Sequence, residues 1–196
     1  MASYHDEIWA AVPERRPFDT ASADWVRDAI DAAGGPRTLD LGCGDGRLTA
    51  RLAEAGARVT GVDPSRVAIE RARAAHPELD WAQSNPDGSL PFEDSTFEAA
   101  TCVNVLEHVA DTQRLISELR RVLAPGARVA IAVPANGWAR TALRGPRAFK
   151  RSHDPLEPVL RFYTRRTLRD LLKRFGFEQL RIERSRSTLL AAATRG

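Results

Sequence analysis

At 196 residues, with 43% hydrophobic and 28% charged side chains, the chain has the size of one ordinary domain and too apolar a composition for a disordered one. No apolar run reaches membrane-spanning length and no charged-then-apolar leader opens the chain, which points to a soluble, cytoplasmic protein without membrane insertion. Two cysteines, Cys43 and Cys102, exclude a disulfide framework; the charge of +3 is uneven, with eleven acids against seven Arg over residues 1–63 and three acids against nine Arg and two Lys over 140–174.

Tyr4 to Val12 is a short amphipathic piece closed by Pro13. Apolar spacing at Trp25, Ala29, Ile30 and Ala33 predicts a helix over Thr20–Ala33, ended by Gly34 and Gly35. These segments, within residues 1–36, precede the first strand, where an α/β domain often carries a lid. Tyr4 and His5 are therefore candidates to cover a ligand, with packing onto the sheet as the alternative.

The stretch Thr38 to Thr49 organises the rest of the chain. Leu39 and Leu41 flank Asp40 in a short strand, then glycines stand at alternate positions 42, 44 and 46, and a helical face of Leu48, Leu52 and Ala55 runs to Gly56. Glycine suits such a corner because the backbone turns sharply and because a Cβ would keep a ligand away. A dinucleotide fingerprint would need a further glycine, but Arg47 follows Gly46. Residues 57–62 predict a second strand tipped by Asp63, where a carboxylate can hold a ribose diol; capping of the helix Arg66–Ala75 is the alternative role.

Asp40 to Gly46 resembles the first motif of the class I S-adenosylmethionine (SAM)-dependent methyltransferases. The resemblance continues in the segment Gly61 to Ser65, in Leu90 to Phe92, and in Cys102 to Val109 (Cys-Val-Asn-Val-Leu-Glu-His-Val), so it covers nearly the whole chain. It implies that Asp40, Gly42, Cys43, Gly44 and Gly46 receive the methionine end of SAM, that Asp63 takes the ribose, and that Pro64 lies against the adenine. It also implies that Val103, Asn104 and His108 pass beneath the methionine part. The family's adenine-binding acid is replaced by Pro86, which leaves Asn85 or Asp87 as the adenine partner, and Glu98 stands where an aspartate is usual.

Further strands are expected at residues 79–84, 99–103 and 128–133, a helix over Thr112–Leu123, another over Thr164–Phe175, and a hairpin of 177–183 with 187–194. Together with the resemblance this predicts one α/β domain over 1–196. It would have a doubly wound, mostly parallel, Rossmann-like sheet of seven strands, the last antiparallel, with helices on both faces. Residues 134–163 form a long aperiodic segment suited to the substrate side.

Methyl transfer from a sulfonium needs orientation and exclusion of water, and a base only if the acceptor loses a proton. Candidate bases are His5, His108, His153 and Tyr4; His108 could equally serve as a substrate donor or pack. No acidic constellation reads as a metal site. The Leu-Pro-Phe and Leu-Glu-His-Val segments are most similar to small-molecule methyltransferases of quinone biosynthesis. The expectation is therefore methylation of a metabolite, with S-adenosylhomocysteine (SAH) as product. The basic residues over 140–174 suit an acidic acceptor, and the protein is expected to be a monomer or homodimer. An RNA methylase using that basic surface, a SAM binder without transfer activity and, last, an NAD-dependent dehydrogenase are the rival readings.

Overall fold

The computed structural model describes residues 4–12, 19–85, 87–135 and 160–196. Two helices open the chain, α1 (Tyr4–Ala11) and α2 (Thr20–Ile30). Asp19 caps α2 by accepting from the Ser22 N–H at 3.2 Å. The helix stops earlier than its apolar spacing suggests, because Asp31 turns left-handed at φ 56° and its N–H bonds back to Arg27 and Asp28; Ala32–Gly34 continue as one 3-10 turn.

The repeating unit of strand and helix then begins. β1 (Arg37–Leu41) leads to α3 (Arg47–Glu54), β2 (Arg58–Asp63) to α4 (Arg66–Ala75), and β3 (Asp80–Gln83) through a loop to β4 (Phe97–Val103). α5 (Thr112–Val122), β5 (Leu123–Pro134), α6 (Arg165–Arg174), β6 (Phe177–Ser185) and β7 (Thr188–Arg195) complete the order. β5 starts five residues before the expected Arg128: Leu123 pairs with Phe97, and the register shifts before Ala99 meets Arg128.

The seven strands lie in the order β3-β2-β1-β4-β5-β7-β6. β1 runs parallel to β2 and β4, while β7 is antiparallel to both β5 and β6, as expected for the last strand. Strand order therefore reverses between β1 and β4, and ligands of open α/β sheets sit beyond the carboxyl ends at such a switch point.

Both faces are covered. Val26, Ile30, Leu48 and Leu52 from α2 and α3 close one apolar cluster with Val59, Ala99 and Ala130. Ile116, Leu119, Leu168 and Leu172 from α5 and α6 close the other with Leu39, Leu41, Ile131 and Phe177. Strands buried on both sides in this way read as apolar runs in the sequence. Arg121 fastens the loop before β4 to α5, donating to the Leu90 and Phe92 carbonyls at 3.1 and 2.8 Å and pairing with Asp94 and Glu118. Glu98, where an aspartate is usual, reaches the start of β1, accepting from the Arg37 N–H at 2.8 Å. Among the described residues no helix is long and apolar enough to cross a membrane.

Candidate active site

The glycine corner leaves β1 with φ of 76°, 56° and 82° at Gly42, Gly44 and Gly46, all in the region that glycine favours. The N–H groups of Gly42 and Cys43 both donate to the Val62 carbonyl, at 2.8 and 3.0 Å, so the turn folds back over the tip of β2. Close approach is demanded by the protein itself and not by a ligand alone. A Cβ on Gly42 would stand 2.2 Å from Cγ2 of Val105, and one on Gly46 2.4 Å from the Trp81 ring. Trp81 is anchored over the corner by donating from Nε1 to the His76 carbonyl at 3.0 Å. The Cys43 side chain is buried, which pushes its thiol well above the usual range.

Asp40 lies beneath this corner at 1% exposure. Its Oδ2 accepts from the Thr49 hydroxyl at 2.6 Å and its Oδ1 from the Thr101 hydroxyl at 2.7 Å. Desolvation raises its pKa, and the two hydroxyl bonds oppose that rise. The acid thus ties β1 to α3 and β4, a role the motif alone did not reveal.

Asp63, also buried, joins the corner to the second strand. Its Oδ2 accepts from the Gly44 N–H at 3.0 Å and its Oδ1 from the Ser65 N–H at 2.9 Å. Capping of α4 falls to Ser65, whose hydroxyl accepts from the Ala68 N–H at 3.2 Å. The Pro64 carbonyl accepts from Gln83 at 2.9 Å, which sets the tip of β3 beside it.

A residue that the sequence did not single out sits here too. Asp6 of α1 is buried, and its Oδ1 accepts from the Ser65 hydroxyl at 2.9 Å and the Val67 N–H at 3.2 Å. The spacing of α1 marks it as amphipathic but gives no hint of partners about sixty residues away.

Beyond β3, Asn85 and Asp87 are both exposed. Asp87 accepts from the Ser89 N–H and hydroxyl at 3.0 and 2.7 Å and pairs with Arg114 at 2.8 Å, bonds that lower its pKa, the Ser89 backbone bond foremost. Asn85 donates its amide nitrogen to Ser89 Oγ at 2.9 Å, so its carbonyl oxygen is the accepting end.

The loop after β4 forms the other side. Val103 ends the strand, and exposed Asn104 follows in a left-handed turn at φ 55°, its N–H donating to the Ala132 carbonyl at 2.9 Å. Residues before α6 clamp this loop. Leu160 and Arg161 donate their N–H groups to the Glu107 carbonyl at 2.7 and 3.2 Å, Tyr163 donates to the Leu106 carbonyl at 3.3 Å, and the Arg161 guanidinium reaches the Val109 and Ala110 carbonyls.

Glu107 carries the most unusual carboxyl in the site. It is 1% exposed, its Oε1 lies 3.9 Å from His108 Nε2, and its Oε2 has no hydrogen-bond partner among the described residues. Burial pushes its pKa up to about 7. His108 is partly exposed at the mouth and acts electrostatically on His5, whose pKa is lowered by burial first, with Asp6 opposing and His108 adding to the decrease. Tyr4 stands edge-on to His5, ring centroids 5.7 Å apart. Tyr4 and His5 are thus in contact, with His108 within electrostatic reach of His5; His153 lies outside the described residues.

The donor set suits a nucleoside carrying a cationic end. An acid closes the β2 tip against a glycine turn, backbone groups line the β4 tip, and two further carboxyls, Asp40 and Glu107, lie buried below. This is a doubly wound nucleoside-cofactor site at a sheet switch point. Similarity to known proteins gives the family. A model described as a methyltransferase domain matches residues 12–182, and the chain belongs to the class I SAM-dependent methyltransferases.

The 2-phytyl-1,4-naphtoquinone methyltransferase of Trichormus variabilis is 37% identical over 142 residues, covering 67% of this chain and 60% of that protein. The ubiquinone biosynthesis O-methyltransferase of Alkalilimnicola ehrlichii is 34% identical over 110 residues, covering 54% and 44%. The chain thus spans about half the length of these curated relatives. The crystal structure of an S-adenosylmethionine dependent methyltransferase from Mesorhizobium loti aligns with TM-score 0.71 at 25% identity, covering 88% of this chain and 98% of that one.

Proposed function

We propose that the protein transfers the methyl group of SAM to a small-molecule acceptor with a quinone- or phenol-like ring. The observation that carries this reading is the Asp63–Gly44 bond, which sets an acid of diol-binding type against the glycine turn at the switch point. The names of the curated relatives support a small ring acceptor.

Bound there, SAM supplies a methyl group already activated by its sulfonium. The chain supplies the rest. Asp63 orients the ribose, Asn85 accepts from the adenine amino group, and Pro64 packs against the base. Gly42, Cys43, Gly44, Gly46, Val103 and Asn104 offer backbone carbonyls to the ammonium of the methionine end, and Asp40 holds that corner rigid from beneath. His108, His5 and Tyr4 face the acceptor, and one of them takes its proton when an O–H or C–H group is methylated. The same reading has one domain with residues 1–36 as a lid and 134–163 on the substrate side. It has the protein working in the cytoplasm, as a monomer or homodimer, on an acceptor that bears acidic character.

The test is transfer of label from methyl-labelled SAM in a deproteinised extract of the source organism. Label is expected in the organic, small-molecule fraction. Label in RNA would overturn the acceptor class, and failure of the protein to bind SAM or SAH would overturn the cofactor assignment as well.

A further inference from the structure

We propose that Asp6 is a cofactor-positioning residue, a latch that couples docking of α1 to occupation of the cofactor site. The proposal rests on the SAM-binding reading above.

Asp6 stands at one end of an unbroken series of bonds. It accepts from the Ser65 hydroxyl at 2.9 Å; the Ser65 N–H donates to Asp63 at 2.9 Å; and the other Asp63 oxygen accepts from Gly44 at 3.0 Å. One carboxylate on the first helix is thereby joined, through one serine, to the acid of the β2 tip and to the glycine turn. Ser65 is fully buried, so no solvent competes for its hydroxyl.

The latch is also anchored electrostatically. Asp6 accepts from the Val67 N–H at 3.2 Å in the first turn of α4, where the amino end of a helix favours a negative charge. A second bond, from Arg71 to the Val12 carbonyl at 2.9 Å, holds the far end of α1 along the same helix. Those contacts bring the beginning of the chain over the segment Asp63–Ser65. α1 is short, eight residues with one buried side chain, and that side chain is Asp6. An isolated helix of that length is not stable in water, so its docking rests on its contacts with the rest of the chain, these polar bonds and the partly buried Ile8 and Trp9 among them. Whatever steadies Asp63 and Ser65 steadies α1, and by reciprocity a docked α1 favours the ligand that Asp63 holds.

The experiment uses the full chain, with SAH binding read by calorimetry and amide hydrogen exchange read on the 4–12 peptide. In the wild type, SAH should slow exchange across 4–12. Asp6→Ala should weaken SAH binding about tenfold, the size of one charge-assisted hydrogen bond, and abolish the ligand-dependent slowing. Asp6→Asn keeps an accepting oxygen and should restore most of both. In a Ser65→Ala background, which loses the helix cap by itself, Asp6→Ala should weaken affinity by less than it does alone, because only the Val67 bond of Asp6 then remains to be lost.

Unchanged SAH affinity in Asp6→Ala, or SAH-dependent slowing that survives it, would overturn the latch and make α1 a passive cover. A wild type that binds SAH with no change in exchange over 4–12 would do the same. A wild type that binds no SAH would instead remove the cofactor reading, and the latch with it.

Discussion

Asp40 and Glu107 are buried to the same degree, each 1% exposed, yet their oxygens are partnered differently. Asp40 under the β1 corner has a hydroxyl on each oxygen. Glu107 under the β4 loop has an oxygen with no partner among the described residues and a pKa pushed up to about 7. Burial raises the pKa of both carboxyls, and the difference lies in what opposes it: two hydroxyl bonds at Asp40, a backbone bond alone at Glu107. The β1–β2 side is finished by its own bonds and can hold a rigid cofactor. The β4 side keeps an acid ready to change its proton, next to the three residues proposed to face the acceptor.

The contrast can be broken most forcefully at Asp40. Asp40→Ala leaves the Thr49 and Thr101 hydroxyls buried with no acceptor, and should lower stability by about 2–5 kcal/mol in urea unfolding. A loss inside the experimental error would mean that the acid is dispensable to the corner.

Glu107→Gln should act with the other sign. The folded state holds a proton on Glu107 that the unfolded chain releases above the ordinary glutamate value of 4.5, so wild-type stability falls as pH rises from there to about 7. Above that window the Gln variant should be more stable by up to about 3 kcal/mol, with no advantage below pH 4 or so. Equal pH profiles for the two proteins would show that Glu107 ionises normally.

Asp63→Ala tests the finished side for function rather than stability, with an expected loss of about 1–3 kcal/mol in SAH binding by calorimetry. Unchanged affinity would take Asp63 away from the ribose. His5→Gln should give the smallest effect. Because the folded pKa of His5 lies below its usual 6.5, docked α1 prefers the neutral ring, and cofactor binding should weaken modestly as pH falls through that value. Asp6 opposes and His108 reinforces this preference. His5→Gln should flatten the dependence, and an unaltered slope would assign it to another group.

Much of this was legible in the sequence because it is local. Alternate glycines after an apolar pair, an acid at the end of Arg58–Asp63, and two β-rich runs around residues 184–186 specify a corner, an acid at a strand tip and a hairpin from a few neighbouring residues. The features that escaped depend on distance along the chain. Gly42 and Gly46 are compelled by Val105 and Trp81, Asp40 is held by Thr101, and Asp6 meets Ser65, all pairs that only the tertiary fold brings together. The bonds of Asp87 to Ser89 and Arg114 likewise join positions on the loop and on α5 that the sequence does not connect.

The placement of β7 between β5 and β6 has a consequence for biogenesis. β5 can pair with β4 as soon as both have left the ribosome, but its other edge, from Arg128 to Pro134, waits for residues 188–194. Until then a strand rich in Ala, Ile and Val offers unpaired backbone groups to any neighbouring chain. A nascent protein stalled before residue 188 should be a chaperone client, and trimming β7 should send the product into inclusion bodies, whereas a cut confined to α1 should leave it in solution.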